Sequence, residues 1–258
     1  MKTKHFFAIA LLMIVLITNS KAADKRSYYE IKFYRVTTNE QVKQVDDYLK
    51  NDYLPALHRA GIGKVGVYHP VGTDTAAEKR IYLFIPLRSL DDMNTIEELI
   101  TTDSKLKAAN AFLDAAYNAS PFKRVESIIL KAFPLMPSHQ APSLTGNKTE
   151  RIYELRSYES ATEKLYRQKV KMFNVGGEIA LFKRLEFNAV FYGEVIAGSH
   201  MPNLMYMTSF NNQADRDAHW KKFGEDPEWV KLKAEPEYLN TVSKNDTILM
   251  NPTEFSEL

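Results

Sequence analysis

Tyr153-Glu154-Leu155-Arg156-Ser157-Tyr158 has a counterpart 124 positions earlier, Tyr29-Glu30-Ile31-Lys32-Phe33-Tyr34. Both stretches place Glu, a base and Tyr at alternate positions, and Tyr and an aliphatic residue between them. Successive side chains of a strand point to opposite faces, so Glu30, Lys32 and Tyr34 share one face, as do Glu154, Arg156 and Tyr158. The apolar alternates are expected to face helices, and the two Glu/base/Tyr rows to face each other across a seam between two sheets.

The echo continues along the chain. Thr38-Asn39-Glu40-Gln41 and Ser160-Ala161-Thr162-Glu163 each read as a capping box opening a helix. Helical spacing follows at Val42, Val45 and Leu49, and at Leu165, Met172 and Phe173. Pro55 interrupts the first helix and Gly176-Gly177 the second. Strands are then predicted over Lys64–Tyr68 and Asn188–Tyr192, and over Ile81–Ile85 and Leu204–Ser209. Helices start near Ser89, Asn212, Asp103 and Asp226-Pro227, the last with Asp as cap and Pro at the first helical position. Strands over Ser127–Phe133 and Asp246–Met250 close the two units.

Each half therefore reads β-α-β-β-α-β, the ferredoxin-like order. The expected fold is α+β: two tandem ferredoxin-like units packed sheet to sheet, one chain making an intramolecular dimeric α+β barrel. The units run over residues 23–133 and 149–258, joined by a Pro-rich linker at 134–148. Because each sheet covers the other, a monomer or a weak homodimer is expected.

Residues 1–22 are set apart as a signal peptide. Lys2 and Lys4 precede a 12-residue apolar run from Phe6 to Ile17, and Ser20 and Ala22 supply the small residues of a cleavage site. The run is too short to span a bilayer. Export to a bacterial periplasm or medium is expected, with no membrane span after cleavage. Without Lys2, Lys4 and Lys21 the chain has 31 bases against 32 acids. That balance, and the scattering of the bases, excludes an electrostatic footprint for nucleic acid. The chain has no cysteine, so its stability rests on its core.

Tyr153–Tyr158, Trp220, Asp226-Pro227-Glu228-Trp229 and the stretch Pro252-Thr253-Glu254-Phe255-Ser256-Glu257-Leu258 resemble the NIPSNAP family. The resemblance covers most of the second half. The first half follows it in outline, with Asp103-Ser104-Lys105-Leu106 in place of the DPEW stretch. It implies a dimeric α+β barrel, an architecture shared with small monooxygenases and haem-degrading proteins, and it implies no activity.

The candidate ligand-binding residues are Glu30, Lys32, Tyr34, Glu154, Arg156 and Tyr158. As a site, Arg156 would hold an anionic or carbonyl group with Glu154 as base or orienter. As structure, each Glu would pair with its neighbouring base, since a buried charge needs a partner. The structural role is the expected one. Trp220 and Trp229 are read as helix anchors, and Tyr68, Tyr82, Phe84, Phe191, Tyr192 and Tyr206 as sheet core. No HExxH, GxGxxG, P-loop or GxSxG occurs, and His58 alone sits where a haem ligand would, with Phe182 as its counterpart. No metal and no cofactor is expected. Two functions stay open: a small-molecule binding or interaction module, and a cofactor-free monooxygenase or isomerase acting on an aromatic or carbonyl compound. The second requires a pocket between sheet and helices with polar groups converging on it.

Overall fold

The computed structural model describes residues 25–72, 78–107 and 111–258. The signal-peptide reading of residues 1–22 lies outside the described residues. The fold is α+β with antiparallel pairing throughout. The first half runs β1 (Tyr28–Val36), α1 (Asn39–Tyr48), α2 (Leu54–Arg59), β2 (Gly66–Pro70), β3 (Lys79–Leu87), α3 (Asp91–Thr102), α4 (Ser104–Lys107) and β4 (Arg124–Ala132). The second runs β5 (Ile152–Glu159), α5 (Glu163–Asn174), α6 (Glu178–Arg184), β6 (Phe191–Ala197), β7 (Asn203–Phe210), α7 (Gln213–Glu225), α8 (Pro227–Ala234) and β8 (Lys244–Pro252).

The strands form one closed barrel in the order β1-β3-β2-β8-β5-β7-β6-β4. Within each half the order is the same, with the first strand between the fourth and the third. Two seams join the halves. At one, Tyr68, His69 and Pro70 of β2 pair with β8, and residues 253–257 continue along β2 through Thr253 N to Val67 O and Glu257 N to Val65 O. At the other, β4 pairs with β6. Sheets that pack face to face as expected thus also fuse at both edges, so no strand among the eight presents an unpaired edge.

Three cores result. The barrel interior draws Tyr29, Ile31, Phe33, Tyr68, Tyr82, Phe84, Leu130, Tyr153, Leu155, Phe191, Met205, Met207 and Met250 from both halves. It is dry enough that burial pushes the Tyr153 phenol up to about 12. One outer core lies between the first unit's strands and its helices, and another holds the second unit's helices with Tyr158, Tyr192 and Tyr206.

The face assignment made from the sequence is reversed. Tyr29, Ile31 and Phe33 point into the barrel, and the rows Glu30/Lys32/Tyr34 and Glu154/Arg156/Tyr158 face the helices. The reason is the closure. The barrel interior is enclosed by backbone on every side and can satisfy few polar atoms, so it takes the apolar alternates. The helix layer can bring its own donors to the polar row.

Local chemistry sets the helix starts, with two shifts. Thr38 caps α1 by accepting from Gln41 N, but Gln41 reaches back to Thr37 N, one residue before the cap. Thr162, not Ser160, caps α5 by accepting from Leu165 N, while Ser160 donates to Thr241 O. Between α1 and α2 the chain makes a π-helical turn, Leu49–Tyr53. Pro55 has no amide to offer the preceding turn, and the wider turn accommodates it. The second interruption is Gly176-Gly177: a Cβ on Gly176 would lie 2.6 Å from Met172 O, and Gly177 opens α6 at φ +97. The second strands start later than predicted, after positive φ at Lys64 and Asn188.

Gly66 of β2 is held by its neighbour. A Cβ there would stand 2.2 Å from the Tyr68 hydroxyl and 2.6 Å from its ring, because the ring folds back over the glycine inside the barrel. Gly66→Ala is expected to lower stability by about 1–3 kcal/mol, as overpacking of a filled core does. Urea unfolding followed by circular dichroism would measure it; an unchanged midpoint would refute the tight packing.

Candidate functional site

The two Glu/base/Tyr rows lie under equivalent helices, and one backbone hydrogen bond aligns those helices residue for residue. Asp92 accepts from the amide four residues before it, Arg88 N at 2.8 Å, and Asp215 does the same from Asn211 N at 2.9 Å. Counting on from these aspartates, Met93 corresponds to Arg216 and Glu97 to Trp220. Those two exchanges give the rows different fates.

In the second unit the row is saturated. Glu154 is fully buried. Its Oε1 accepts from Arg156 Nε at 2.5 Å and from Arg216 Nη2 at 3.2 Å; its Oε2 accepts from Arg216 Nε and Trp220 Nε1, each at 2.7 Å. The Arg156 guanidinium stacks on the Trp220 ring at 3.8 Å and donates to Tyr158 OH, which meets Tyr206 OH at 2.9 Å. Four N–H donors on one carboxylate and a cation on an indole face leave no position for a ligand. Glu154, Arg156 and Tyr158 hold the fold together here. Trp220, read from the sequence as a helix anchor, is a hydrogen-bond donor and a stacking platform at the centre of the network. Its spacing of four from Arg216 on one helix face is the signal that could have shown this.

A second buried pair lies alongside. Lys169 Nζ donates to Glu178 at 2.8 Å and sits 4.8 Å from the Phe173 ring centroid. Burial raises the Glu178 carboxyl despite this partner. The first unit has Val45 at the position equivalent to Lys169, seven residues beyond the capping threonine in each case.

In the first unit the row opens on a cleft of about 350 Å³ between the sheet and α3. Glu30, Lys32, Tyr34 and Ser127 form its floor, and Tyr48, Tyr53, Met93, Ile96, Glu97, Phe112 and Phe122 are among its walls. Glu30 is 1% exposed. Its Oε1 accepts from Ser127 Oγ and lies 3.6 Å from Lys32 Nζ. Its Oε2 is buried and meets no donor among the described residues. Lys32 donates to Tyr53 OH at 3.3 Å, with the π-helical turn placing Tyr53 over β1. Burial and the nearby Glu30 charge keep the Tyr53 phenol well above its ordinary range, hence protonated. The aromatic walls are ordered by stacking, with Phe112 lying flat on Tyr48 at 4.0 Å. Tyr34 meets Phe122 edge to face at 5.3 Å.

The other candidates resolve simply. His58 pairs with Glu257 at 2.7 Å on the surface, 43% exposed. Among the described residues no group of three or more His, Cys, Asp or Glu could hold a metal ion, and no helix is long and apolar enough to cross a membrane. Tyr68, Tyr82, Phe84 and Phe191 pack inside the barrel, and Tyr192 and Tyr206 in the second outer core.

Residues 153–257 match the family model described as NIPSNAP. The match falls wholly within the second half of the chain. A NIPSNAP family protein from Agrobacterium tumefaciens is 23% identical over 42% of this chain and 99% of its own, with a TM-score of 0.38. Over both halves, the chain resembles a candidate monooxygenase from Lactobacillus acidophilus NCFM, with TM-score 0.56, 13% identity, and 88% of this chain and 94% of that one covered. A second candidate monooxygenase, from Fusobacterium nucleatum, gives 0.58 and 6% identity over 88% of this chain and 92% of that one. At these identities the likeness is one of fold. No curated protein matches the sequence. The Glu154 network and the DPEW stretch fall inside the NIPSNAP match; the open cleft falls outside it.

The second half supplies a direct test of the saturated carboxylate. Arg156→Met leaves Glu154 with Arg216 and Trp220, and is expected to cost only about 1–2 kcal/mol. Adding Arg216→Met strips both cations from a buried carboxylate and should bring the total to about 3–5 kcal/mol or more. Chemical unfolding of the single and double variants measures both. Equal losses from the two would mean that Arg216 does not share the charge.

Proposed function

We propose that this chain is an exported small-molecule binding protein whose ligand site is the cleft over Glu30 in the first unit, with the second half as its rigid support. One observation carries the reading. Glu30 and Glu154 are equivalent and equally buried, yet Glu154 is filled by four donors and Glu30 keeps an oxygen without one. A buried polar atom without a partner is costly, and in native proteins it commonly marks a position that a ligand or water completes. The walls call for a compact, flat, mainly apolar molecule. Its polar end must offer a donor to Glu30, and the volume is that of an ordinary small-molecule pocket.

A second reading, a cofactor-free oxygenase or isomerase, is favoured by the pocket's placement between sheet and helices and by the whole-chain likeness to two candidate monooxygenases. The two tandem units are taken as ferredoxin-like repeats, and the closed barrel favours a monomer.

The test uses 2-naphthol as probe and isothermal titration calorimetry as readout. The wild-type protein is expected to bind it, and Glu97→Trp, which places an indole where the second unit has Trp220, is expected to abolish binding while leaving the melting temperature unchanged or higher. Binding that survives Glu97→Trp would move the site elsewhere; no binding by the wild type would overturn the reading for hydroxyaromatic ligands. Export has its own check. The N-terminus of protein recovered from the periplasm or medium should begin at Ala23, and a retained Met1 in the membrane fraction would refute it.

A further inference from the structure

We propose that the Glu30 cleft is also a proton-transfer site: Glu30 and Tyr53 together interconvert the keto and enolate forms of a carbonyl compound that carries an acidic hydrogen on the carbon beside its C=O, Glu30 holding the proton while the enolate exists. This rests on the reading of the cleft as a ligand site and goes beyond it by naming a reaction and a substrate class.

The inference comes from what the polar end of the cleft leaves unused. Glu30 Oε2 is an acceptor with no donor among the described residues. Tyr53 OH already accepts from Lys32 Nζ at 3.3 Å, so its own proton is free to be given elsewhere. Lys32 Nζ stands 3.6 Å from Glu30 Oε1 and therefore ties the two groups into one cluster. A carboxylate with one oxygen lacking a donor, beside a phenol that still has its proton, is the pairing that enolisation requires: one group takes a proton from carbon while the other steadies the oxygen that gains charge. A simple binding site for a hydroxyl needs only the first. The burial that keeps Tyr53 protonated keeps it a donor, and the adjoining ammonium favours negative charge on a substrate oxygen.

The step balances without any oxidant or reductant. Glu30 Oε2 removes the proton from the carbon next to the carbonyl. The C–H electron pair becomes the new C=C π bond, and the C=O π pair moves onto oxygen, where the Tyr53 O–H and the nearby Lys32 ammonium stabilise it. Return of the proton from Glu30 to the same carbon restores the ketone, and return to a conjugated carbon gives the isomer. The carboxylate is regenerated in both cases. The aromatic walls of Tyr48, Phe112 and Phe122 suit a ketone fused to or bearing an aromatic ring.

2-Tetralone in deuterium oxide provides the test, with loss of its C1 proton signal followed by NMR and binding followed separately by calorimetry. The wild-type protein is expected to accelerate exchange over buffer. Glu30→Gln should lose on the order of a hundredfold of that acceleration while its dissociation constant changes by less than about threefold, since the amide keeps the shape and the Ser127 contact. Tyr53→Phe should lose on the order of tenfold to a hundredfold. Glu97→Trp leaves both groups in place and fills the cleft, so it should lose binding and exchange together; this serves if Glu30→Gln fails to fold. Binding of 2-tetralone with no faster exchange, or equal exchange by wild type and Glu30→Gln, overturns proton transfer and leaves the ligand site standing. Absence of 2-tetralone binding by the wild type overturns both for this class.

Discussion

Closure of eight strands into a ring constrains everything else in this molecule. Once β2 pairs with β8 and β4 with β6, each strand has an inner face enclosed by the ring and an outer face under the helices. The side-chain period of two then sends alternate residues to fixed destinations, with no freedom to slip by one. In β1 and β5 the aromatic and aliphatic alternates meet inside the barrel, where Tyr68 and Tyr153 pack at 4.7 Å and Phe84 and Phe191 at 5.1 Å across the two halves. The charged alternates are thereby committed to the helix side. How their charge is satisfied becomes a matter for the helices, and α3 and α7 solve it differently.

The order of elements and the helix starts at Asp226 and Asn212 were legible because each rests on local chemistry: a period, a cap, a proline at the first turn. The face of the polar row was not. Alternation tells which residues share a side, but not which side is dry, and for an isolated sheet the helix-covered face is the natural choice for Ile31 and Leu155. Barrel closure reverses that choice through contacts between the two halves, far apart in the chain, such as Leu130 with Val195 and Tyr68 with Tyr153. The six candidate residues were all found in the sequence, and the structure divides them by unit, Glu154, Arg156 and Tyr158 as scaffold and Glu30, Lys32 and Tyr34 as cleft floor. That division depends on Met93 and Glu97 against Arg216 and Trp220, which become comparable only after the helices are aligned through Asp92 and Asp215. Tyr53 was missed because its role comes from a π-helical turn, and Pro55 signals an interruption there without its geometry.

Two equivalent buried carboxylates in one chain make a controlled comparison of what burial demands. Removing a carboxylate from water costs several kcal/mol unless charge-assisted hydrogen bonds replace its hydration. Glu154 meets that demand with two guanidinium groups and an indole, and its surroundings are correspondingly fixed: Trp220 packs against Phe182 and Phe187, and Arg156 is held between Trp220 and Tyr158. Glu30 has one hydroxyl and one ammonium at 3.6 Å, and both act on the same oxygen. Lys32 is a point charge on a flexible stem, where Arg156 is a planar fork that locks in place. The first unit thus holds its carboxylate less completely, with a movable partner.

Such incompleteness is tolerable because the two units share their strands. Asp92 of α3 and Asp215 of α7 each accept from the amide four residues before them, and the side chains that follow differ between the units. The backbone under Glu30 belongs to β1, which is paired along its length on both sides, to β3 and to β4, and β4 is in turn paired to the second unit. A loosely satisfied carboxylate on a lone four-stranded sheet could let the strand and its helices shift to solvate it. Within a closed ring the strand cannot move without breaking pairings on both sides, so Glu30 stays where it is and the unmet acceptor persists. The ring, paired on both sides of β1, thus holds the incompletely satisfied carboxylate in a conformation that a lone sheet would relax from.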